Sequence, residues 1–504
     1  MAEVIIGVDG GTTAVKAVAF DLEGEIVATH HESVPVKYGK AGEAEQDMGQ
    51  IWDAVARCLR EVTSELHDSE ILGVGLTGQG DGVWLIDAEG NPVRPAANWL
   101  DGRASQRVNE WEADGRAEKV HKVTGTTIFG GLFPVLLEEL SASEPEVVAR
   151  ATTHLNCKDW IRFKLTGERL TDYTEASRSF LDVRDVSGFS EELANELGQA
   201  EFLELLPEIR HSADKAAGVS ATAAKETGVP EGTPVGIGMI DVAVTGMGLG
   251  AIQNGDSWLI LGTTGFVGTL LPSVAERHSN LSMVLATGND TQVLEFMAPM
   301  TGTPNLDWIR ETLGLESRDW DEIEQIAREA SPGSSGVVYL PYASPGGERA
   351  PFLDTNASAS WAGMSLTSER SDILRSVYEG VAFSLVECVK TLEIEGDLVV
   401  SGGGFRSDLL CEILADATGQ TVVRQDAPEA GARGAAVLAL VSAGRYGTIQ
   451  EASEALGATM ERFEPNPDNF EIYGSTYDVF VETRKALQPV WKSMRDLRKI
   501  SSGE

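Results

Sequence analysis

The chain of 504 residues carries 40 lysines and arginines against 78 aspartates and glutamates, a formal net charge of −38, with 42% hydrophobic and 23% charged residues. That composition fits a globular protein of about three domains or two large ones. Its acidity, unbroken by any basic patch, disfavours nucleic acid or an anionic membrane surface as partner and predicts stability that depends on salt.

Residues 4–9, VIIGVD, form a short β-branched run, followed by a GGTT turn, VKAVAFD, LEGE and IVATH. The pattern predicts a β-hairpin with a Gly-Thr turn that continues into a third strand. Ile51, Val55, Leu59, Val62 and Leu66 stand at helical spacing, and ILGVGLTG (71–78) reads as a buried strand. Helical patterns follow at 103–120, 134–140 and 144–150. GTPVGIGMIDVAVTGMGLGAI (232–252) predicts a strand running into a Gly-bounded helix. SWLILGTTGFVGTLL (257–271) then repeats the opening device of apolar strand, Gly-Thr turn and apolar strand. Two copies of one uncommon hairpin, about half a chain apart, predict two related α/β domains. We divide them as 1–240 and 241–504, with a ligand cleft between them. DLVVSGGGF (397–405), RGAAVLALVSAG (433–444) and a charged helical tail from about 472 to 499 complete the second half.

The four cysteines form no CxxC pair and the seven histidines no HExxH, so neither a zinc site nor a disulfide framework is expected. No apolar run has transmembrane or signal-peptide length. A soluble protein of the reducing cytoplasm is the expectation.

Three Gly-rich turns bear on chemistry: Asp9-Gly10-Gly11-Thr12-Thr13 with Lys16, Gly262-Thr263-Thr264-Gly265, and Gly402-Gly403-Gly404. Such turns bring backbone N–H groups close to an anion, and threonine hydroxyls add donors. One alone reads as a tight hairpin; three together point to a nucleotide-phosphate cradle, although no GxxxxGK[ST] loop occurs. Gly73-Val74-Gly75-Leu76-Thr77-Gly78 matches GxGxxG but lies within an apolar strand and opens no helix, so no dinucleotide fingerprint follows. Asp241 stands in an apolar, Gly-rich stretch, where a carboxylate is costly unless paired or used. It reads as a helix N-cap, a general base at a cleft, or both. Gln79, Asp81, Trp99, Asp101 and Arg103 cluster in TGQGDGVWLID and NWLDGRAS. Their amide, carboxylate and indole groups suit a polyhydroxylated ligand, and a turn with Asp101 capping the next helix is the plain structural alternative.

At this point a family becomes visible. GVDGGTTAVKAVAFD (7–21) resembles the first phosphate motif of the FGGY sugar and polyol kinases. NWLDGRA, CKDWIRFKLTG, TDYTEASRS, GMIDVAVTGMGLG, LGTTG, GGERAPF, SVYEGVAFSL, VSGGGFRSD and EAGARGAAVLA resemble further segments of that family, in its order and nearly end to end. CKDWIRFKLTG is taken as its Lys-Asp strand.

The resemblance implies two ribonuclease-H-like domains of the actin-like ATPase superfamily around a central cleft. It implies Asp241 as general base, Asp9 as Mg²⁺ holder in part through water, and Gly11, Thr12, Thr13, Lys16, Gly262, Thr263 and Thr264 around the phosphates of ATP. Gly402, Gly403, Gly404 and Phe405 would lie beside the adenine and ribose, and Gln79, Asp81, Trp99, Asp101, Arg103 and Asp241 around the acceptor. Gly80-Asp81 and Ile128 depart from the Arg-Glu pair and tyrosine of glycerol kinases, and Asp81 stands where many xylulokinases carry a histidine. QGDGVWLID is most similar to the erythritol kinase and L-xylulose kinase branch. The expected activity is phosphorylation of a primary hydroxyl on erythritol or a related four- to five-carbon alditol, with L- or D-xylulose as the alternative. The reading from another class is a non-kinase ATPase switch of the same superfamily. A homodimer is compatible with the chain.

Overall fold

The computed structural model describes residues 2–40, 42–67, 69–426, 428–457 and 459–502. The β-branched run at the N-terminus forms β1 (Glu3–Gly10), which turns through Gly11–Thr13 into β2 (Ala14–Asp21) and then β3 (Ile26–Ser33). Helix α1 (Met48–Glu65) starts where Asp47 accepts the Gln50 N–H, and it buries Ile51, Val55, Leu59 and Val62. The apolar strand β4 (Glu70–Gly78) pairs parallel to β1. Helix α2 (Cys157–Thr166) follows, so the Lys158-Asp159 pair expected on a strand opens a helix instead. Strands β5 (Lys215–Gly218), β6 (Pro234–Gly236) and β7 (Met239–Ile240) complete the first sheet, and α3 (Asp241–Gly248) leaves it.

The second sheet begins with β8 (Ser257–Leu261), β9 (Gly265–Leu271), β10 (Met283–Ala286) and β11 (Val293–Met297). Helices α4 (Pro304–Thr312) and α5 (Arg370–Thr391) come next, then β12 (Leu398–Ser401), α6 (Asp408–Thr418), β13 (Val422–Asp426), α7 (Ala430–Ser442), β14 (Thr459–Phe463) and the terminal α8 (Phe470–Ser502).

The two sheets repeat one pairing plan. From β3 through β2, β1, β4 and β6 to β5, neighbours run antiparallel, antiparallel, parallel, parallel, antiparallel. From β11 through β9, β8, β12 and β13 to β14 the same series recurs. The repeated hairpin read from the sequence thus belongs to a repeated sheet.

Helix α7, from the second half of the chain, lies on the first sheet. Glycine is required there by contact: a Cβ on Gly7 would stand 1.9 Å from the Ala432 carbonyl oxygen, and one on Gly75 1.8 Å from that of Ala435. Helices α3 and α7 approach equally closely, since a Cβ on Gly434 would meet the Val244 carbonyl oxygen at 2.0 Å. A cluster of buried apolar residues therefore joins Ile5, Val18 and Phe20 to Val244, Ala435 and Leu438.

Candidate active site

Strands β1, β4 and β7 run parallel, with Asp9 in register with Thr77, Gly10 with Gly78, and Thr77 with Met239. Their carboxyl ends open together, as ligand crevices in α/β sheets do, and they deliver Asp9, Gln79 and Asp241 to one edge. Asp241 is the first residue of α3 and Ile240 holds the cap position, so the N-cap reading is corrected: among the described residues the carboxylate accepts only the Val242 N–H, at 2.7 Å. Burial, then the nearby charges of Asp9 and Asp81, push its pKa up to about 7 against the pull of that N–H group. Burial likewise raises Asp9 to about 6, with Lys16 opposing and Glu429 adding. Asp9 Oδ1 is buried without a hydrogen-bond partner among the described residues, and Gly431 keeps the space beside Oδ2 open, since a Cβ there would stand 3.2 Å away.

The first Gly-Thr turn is held from behind. Gln46 Nε2 donates to the Thr12 carbonyl at 2.9 Å, and Trp99 Nε1 donates to the Thr12 hydroxyl at 2.9 Å. Thr13 is exposed, and Lys16 Nζ meets Glu429 Oε2 at 2.8 Å. In the second turn the Gly262 N–H donates to Thr264 and the Gly262 carbonyl accepts from Thr303. Thr263 is exposed, and Thr263 and Thr264 line a cavity of about 620 Å³ with Gly302, Trp308, Tyr339 and Trp361.

Gly402 adopts φ 100°, a conformation that favours glycine, and a Cβ there would strike the Leu261 carbonyl oxygen at 2.7 Å. Gly402 and Gly403 are exposed beside this turn, whereas Gly404 and Phe405 are buried. Phe405 belongs to the core of the second half, so its ring offers no surface to a nucleotide and the expectation for it is corrected.

Among the residues expected around an acceptor, Gln79 is buried beneath the turn, donating to Gln46 Oε1 at 2.7 Å and leaving its own Oε1 without a partner. Asp81 holds a positive φ of 61°, and both its oxygens are taken by Arg178, through Nε at 2.8 Å and Nη2 at 3.1 Å. Asp101 and Arg103 are a structural pair. Asp101 accepts from the Ala44 N–H and from Arg103 Nε and Nη2, and Arg103 also pairs with Glu45. Asp101 is 1% exposed, with both oxygens engaged; it caps no helix, since the next one starts after Ala104 without a side-chain cap.

Residues the sequence reading did not single out complete the site. Gln46 links Gln79, Asn98 and the Thr12 carbonyl. Lys158, fully buried, pairs with Asp159 at 2.6 Å and Asp172 at 2.9 Å. Asp172 accepts the Thr174 hydroxyl, which in turn accepts the Ile240 N–H, fixing the residue before Asp241. Glu175 is buried with neither carboxylate oxygen partnered; burial lifts its pKa well above the ordinary range, opposed by Lys158 and reinforced by Asp159, Asp172 and Asp81. For Lys158, Asp172 and Glu175 the signal in the sequence was the CKDWIRFKLTG and TDYTEASRS segments; Gln46 had none.

Gly-Thr turns of this kind offer N–H and hydroxyl donors to an anion, and a buried carboxylate of near-neutral pKa can take a proton from a hydroxyl. Comparison with known proteins agrees with that chemistry. The models of the FGGY family of carbohydrate kinases match this chain, the N-terminal domain over residues 4–248 and the C-terminal domain over 258–443. The chain is 31% identical to erythritol kinase of Brucella abortus, covering 98% of each. It is 28% identical to a probable L-xylulose kinase of Pasteurella multocida, covering 96% of this chain and 99% of that one. The ligand-bound xylulose kinase of Lactobacillus acidophilus superposes with a TM-score of 0.90 at 25% identity, covering 98% of this chain and all of that one.

Proposed function

The chain belongs to the FGGY family of carbohydrate kinases, and from that premise we propose that it transfers the γ-phosphoryl group of ATP to a primary hydroxyl of erythritol or a related four- to five-carbon alditol. L- or D-xylulose is the second choice, on the likeness to kinases of those names. The observation that carries the reading is the Asp9–Asp241 carboxylate pair at the strand ends, beside the first Gly-Thr hairpin.

Asp241, with a pKa of about 7, takes the proton of the acceptor hydroxyl as its oxygen attacks the γ-phosphorus. Asp9, with its unpartnered buried Oδ1, fits a divalent cation held in part through water. Mg²⁺ bound there would draw charge from the β- and γ-phosphates. Gly11, Thr12, Thr13 and Lys16 from one hairpin, and Gly262, Thr263 and Thr264 from the other, offer N–H, hydroxyl and ammonium donors to the phosphates. Gly402 and Gly403 leave space for ribose and base. Asp81, oriented by Arg178, accepts from acceptor hydroxyls, and Trp99 gives an apolar face.

Closure of the lobes 1–240 and 241–504 would exclude water and suppress ATP hydrolysis. Among the described residues no helix is long and apolar enough to cross a membrane, and all four cysteines are free and buried, which supports a cytoplasmic setting.

A coupled ADP-release screen with Mg-ATP against tetritols, pentitols, pentuloses, hexuloses and glycerol tests the proposal. A clear rate with one four- or five-carbon compound, abolished by Asp241→Asn, is the expected result. A rate on glycerol or a hexulose alone would overturn the substrate class, and acceptor-independent ADP release would favour an ATP-driven switch.

A further inference from the structure

GGERAPF is a family-like segment still without a task, and its arginine is fastened beside the second Gly-Thr hairpin. The segment Pro299–Thr303 lies along the second Gly-Thr hairpin: Gly265 donates its N–H to the Pro299 carbonyl at 3.0 Å and Thr303 donates to Gly262 at 2.8 Å. Glu348, 1% exposed, ties the 348–350 turn to that segment. Its carboxylate accepts the Met300 N–H at 2.6 Å and the Thr301 hydroxyl at 3.1 Å, and it accepts the Arg349 N–H at 2.9 Å. Arg349 Nε then donates to the Ala298 carbonyl at 2.6 Å. The guanidinium is thereby fastened to the strap over Thr263 and Thr264, yet it is exposed and forms no ion pair within the described residues.

The carboxylate whose charge acts on Arg349 is already engaged. Glu348 is turned into its own backbone, and both Asp81 oxygens belong to Arg178. Arg178, from the first half of the chain, lies close enough for its charge to act against that of Arg349, while Glu348 acts for it. A cation so placed between a like charge and a phosphate-type hairpin calls for an anion supplied by the ligand. The acceptor of the proposed reaction is neutral, so that anion is a phosphoryl group.

We propose, resting on the kinase reading above, that Arg349 binds the non-bridging oxygens of the γ-phosphoryl group from the second half of the chain and carries that group to the acceptor. During transfer the bond from the γ-phosphorus to its bridging oxygen breaks and the electron pair leaves with ADP. The acceptor oxygen forms the new bond and its proton passes to Asp241; Arg349 changes no covalent partner. Lys16, the other cation assigned to the phosphates, is paired with Glu429, whereas Arg349 is in no ion pair among the described residues.

Calorimetric titration of Mg-ADP and of Mg-AMP-PNP into the wild type, Arg349→Gln and Arg349→Lys decides the point. Arg349→Gln should weaken AMP-PNP about tenfold or more, as loss of a charge-assisted hydrogen bond does, and leave ADP within about twofold. Lysine should restore part of the difference. Equal weakening of both nucleotides would reduce Arg349 to a builder of its loop, and no weakening of either would remove it from the site; both overturn the proposal. With an acceptor identified, the Gln variant should lose about 10²-fold in kcat while the acceptor KM stays within about threefold; a change confined to the acceptor KM also overturns it. If Arg349→Gln fails to fold, Arg349→Met, which keeps the aliphatic stem, gives the same reading. Wild-type protein that binds neither nucleotide defeats the kinase reading and this inference with it. Nucleotide binding without turnover of any polyol or ketose defeats only the acceptor assignment, and the AMP-PNP to ADP ratio still decides the role of Arg349.

Discussion

Removing the carboxylate that the chemistry needs should stabilise the ligand-free protein above neutral pH. Asp241 ionises at about 7 in the folded chain instead of 3.8, because burial and the charges of Asp9 and Asp81 disfavour its anion. Between those values the folded state binds a proton that the unfolded chain has released, so stability falls as pH rises through the window and levels off above it. At about 1.4 kcal/mol per factor of ten, the cost of the ionised form is on the order of 4 kcal/mol. In Asp241→Asn the side chain would be neutral at every pH and would still accept the Val242 N–H through its amide oxygen. With an unfolding entropy of about 2 cal/mol/K per residue, the gain amounts to about 4 °C in thermal midpoint if the chain unfolds as one unit, and about twice that if half unfolds alone. Differential scanning calorimetry of wild type and Asp241→Asn, without nucleotide or Mg²⁺, should show a difference that vanishes toward pH 4 and is complete by pH 8. A difference that is constant with pH, or a variant less stable at pH 8, would refute the reasoning.

Since the base must be ionised to accept a proton, kcat/KM for the acceptor should fall with a slope of one below about pH 7; a profile flat from pH 5 to 8 would contradict this. Asp101→Ala should lower stability by about 3–5 kcal/mol, as breaking a buried ion pair does, with acceptor KM unchanged in folded protein; a selective rise in KM would return Asp101 to the binding site. Gly75→Ala should prevent α7 from seating on the first sheet, because the new Cβ would lie 1.8 Å from a backbone carbonyl oxygen; a wild-type thermal midpoint would refute that packing argument.

The two hairpins were legible because apolar runs broken by Gly-Thr turns leave few alternatives, Asp9 led the first of those turns, and Asp241 stood out as a charge in apolar surroundings. The repeat extended further than the hairpins showed, since strand order depends on pairings between distant segments. Helix α5 gave no amphipathic signal for the opposite reason to a loop: nearly every residue of it is buried, so no polar face marks its period. The acceptor cluster was read too broadly. Asp81 and Asp101 look alike in sequence, and what separates them is the partner each finds: Arg178 at the cleft for one, Arg103 with Glu45 beneath the surface for the other. Phe405 was misplaced because a Gly-rich turn says nothing of which way the next ring points. Glu175 and Lys158 were hidden within segments whose buried ionic chain, through Asp172 and Thr174 to Ile240, exists only once residues far apart in sequence meet.

The seat of α7 on β1 and β4 also sets a timetable for synthesis. The last strand of the first sheet ends at Ile240, but the helix that covers the face bearing Gly7 and Gly75 ends at Ser442. At about 5–20 residues per second, about 200 further residues keep that face bare on the ribosome for some 10–40 s. In the finished fold the backbone carbonyls of Ala432 and Ala435 lie directly against those glycines. The first half of this protein is thus completed by a helix made about 200 residues after its own last strand.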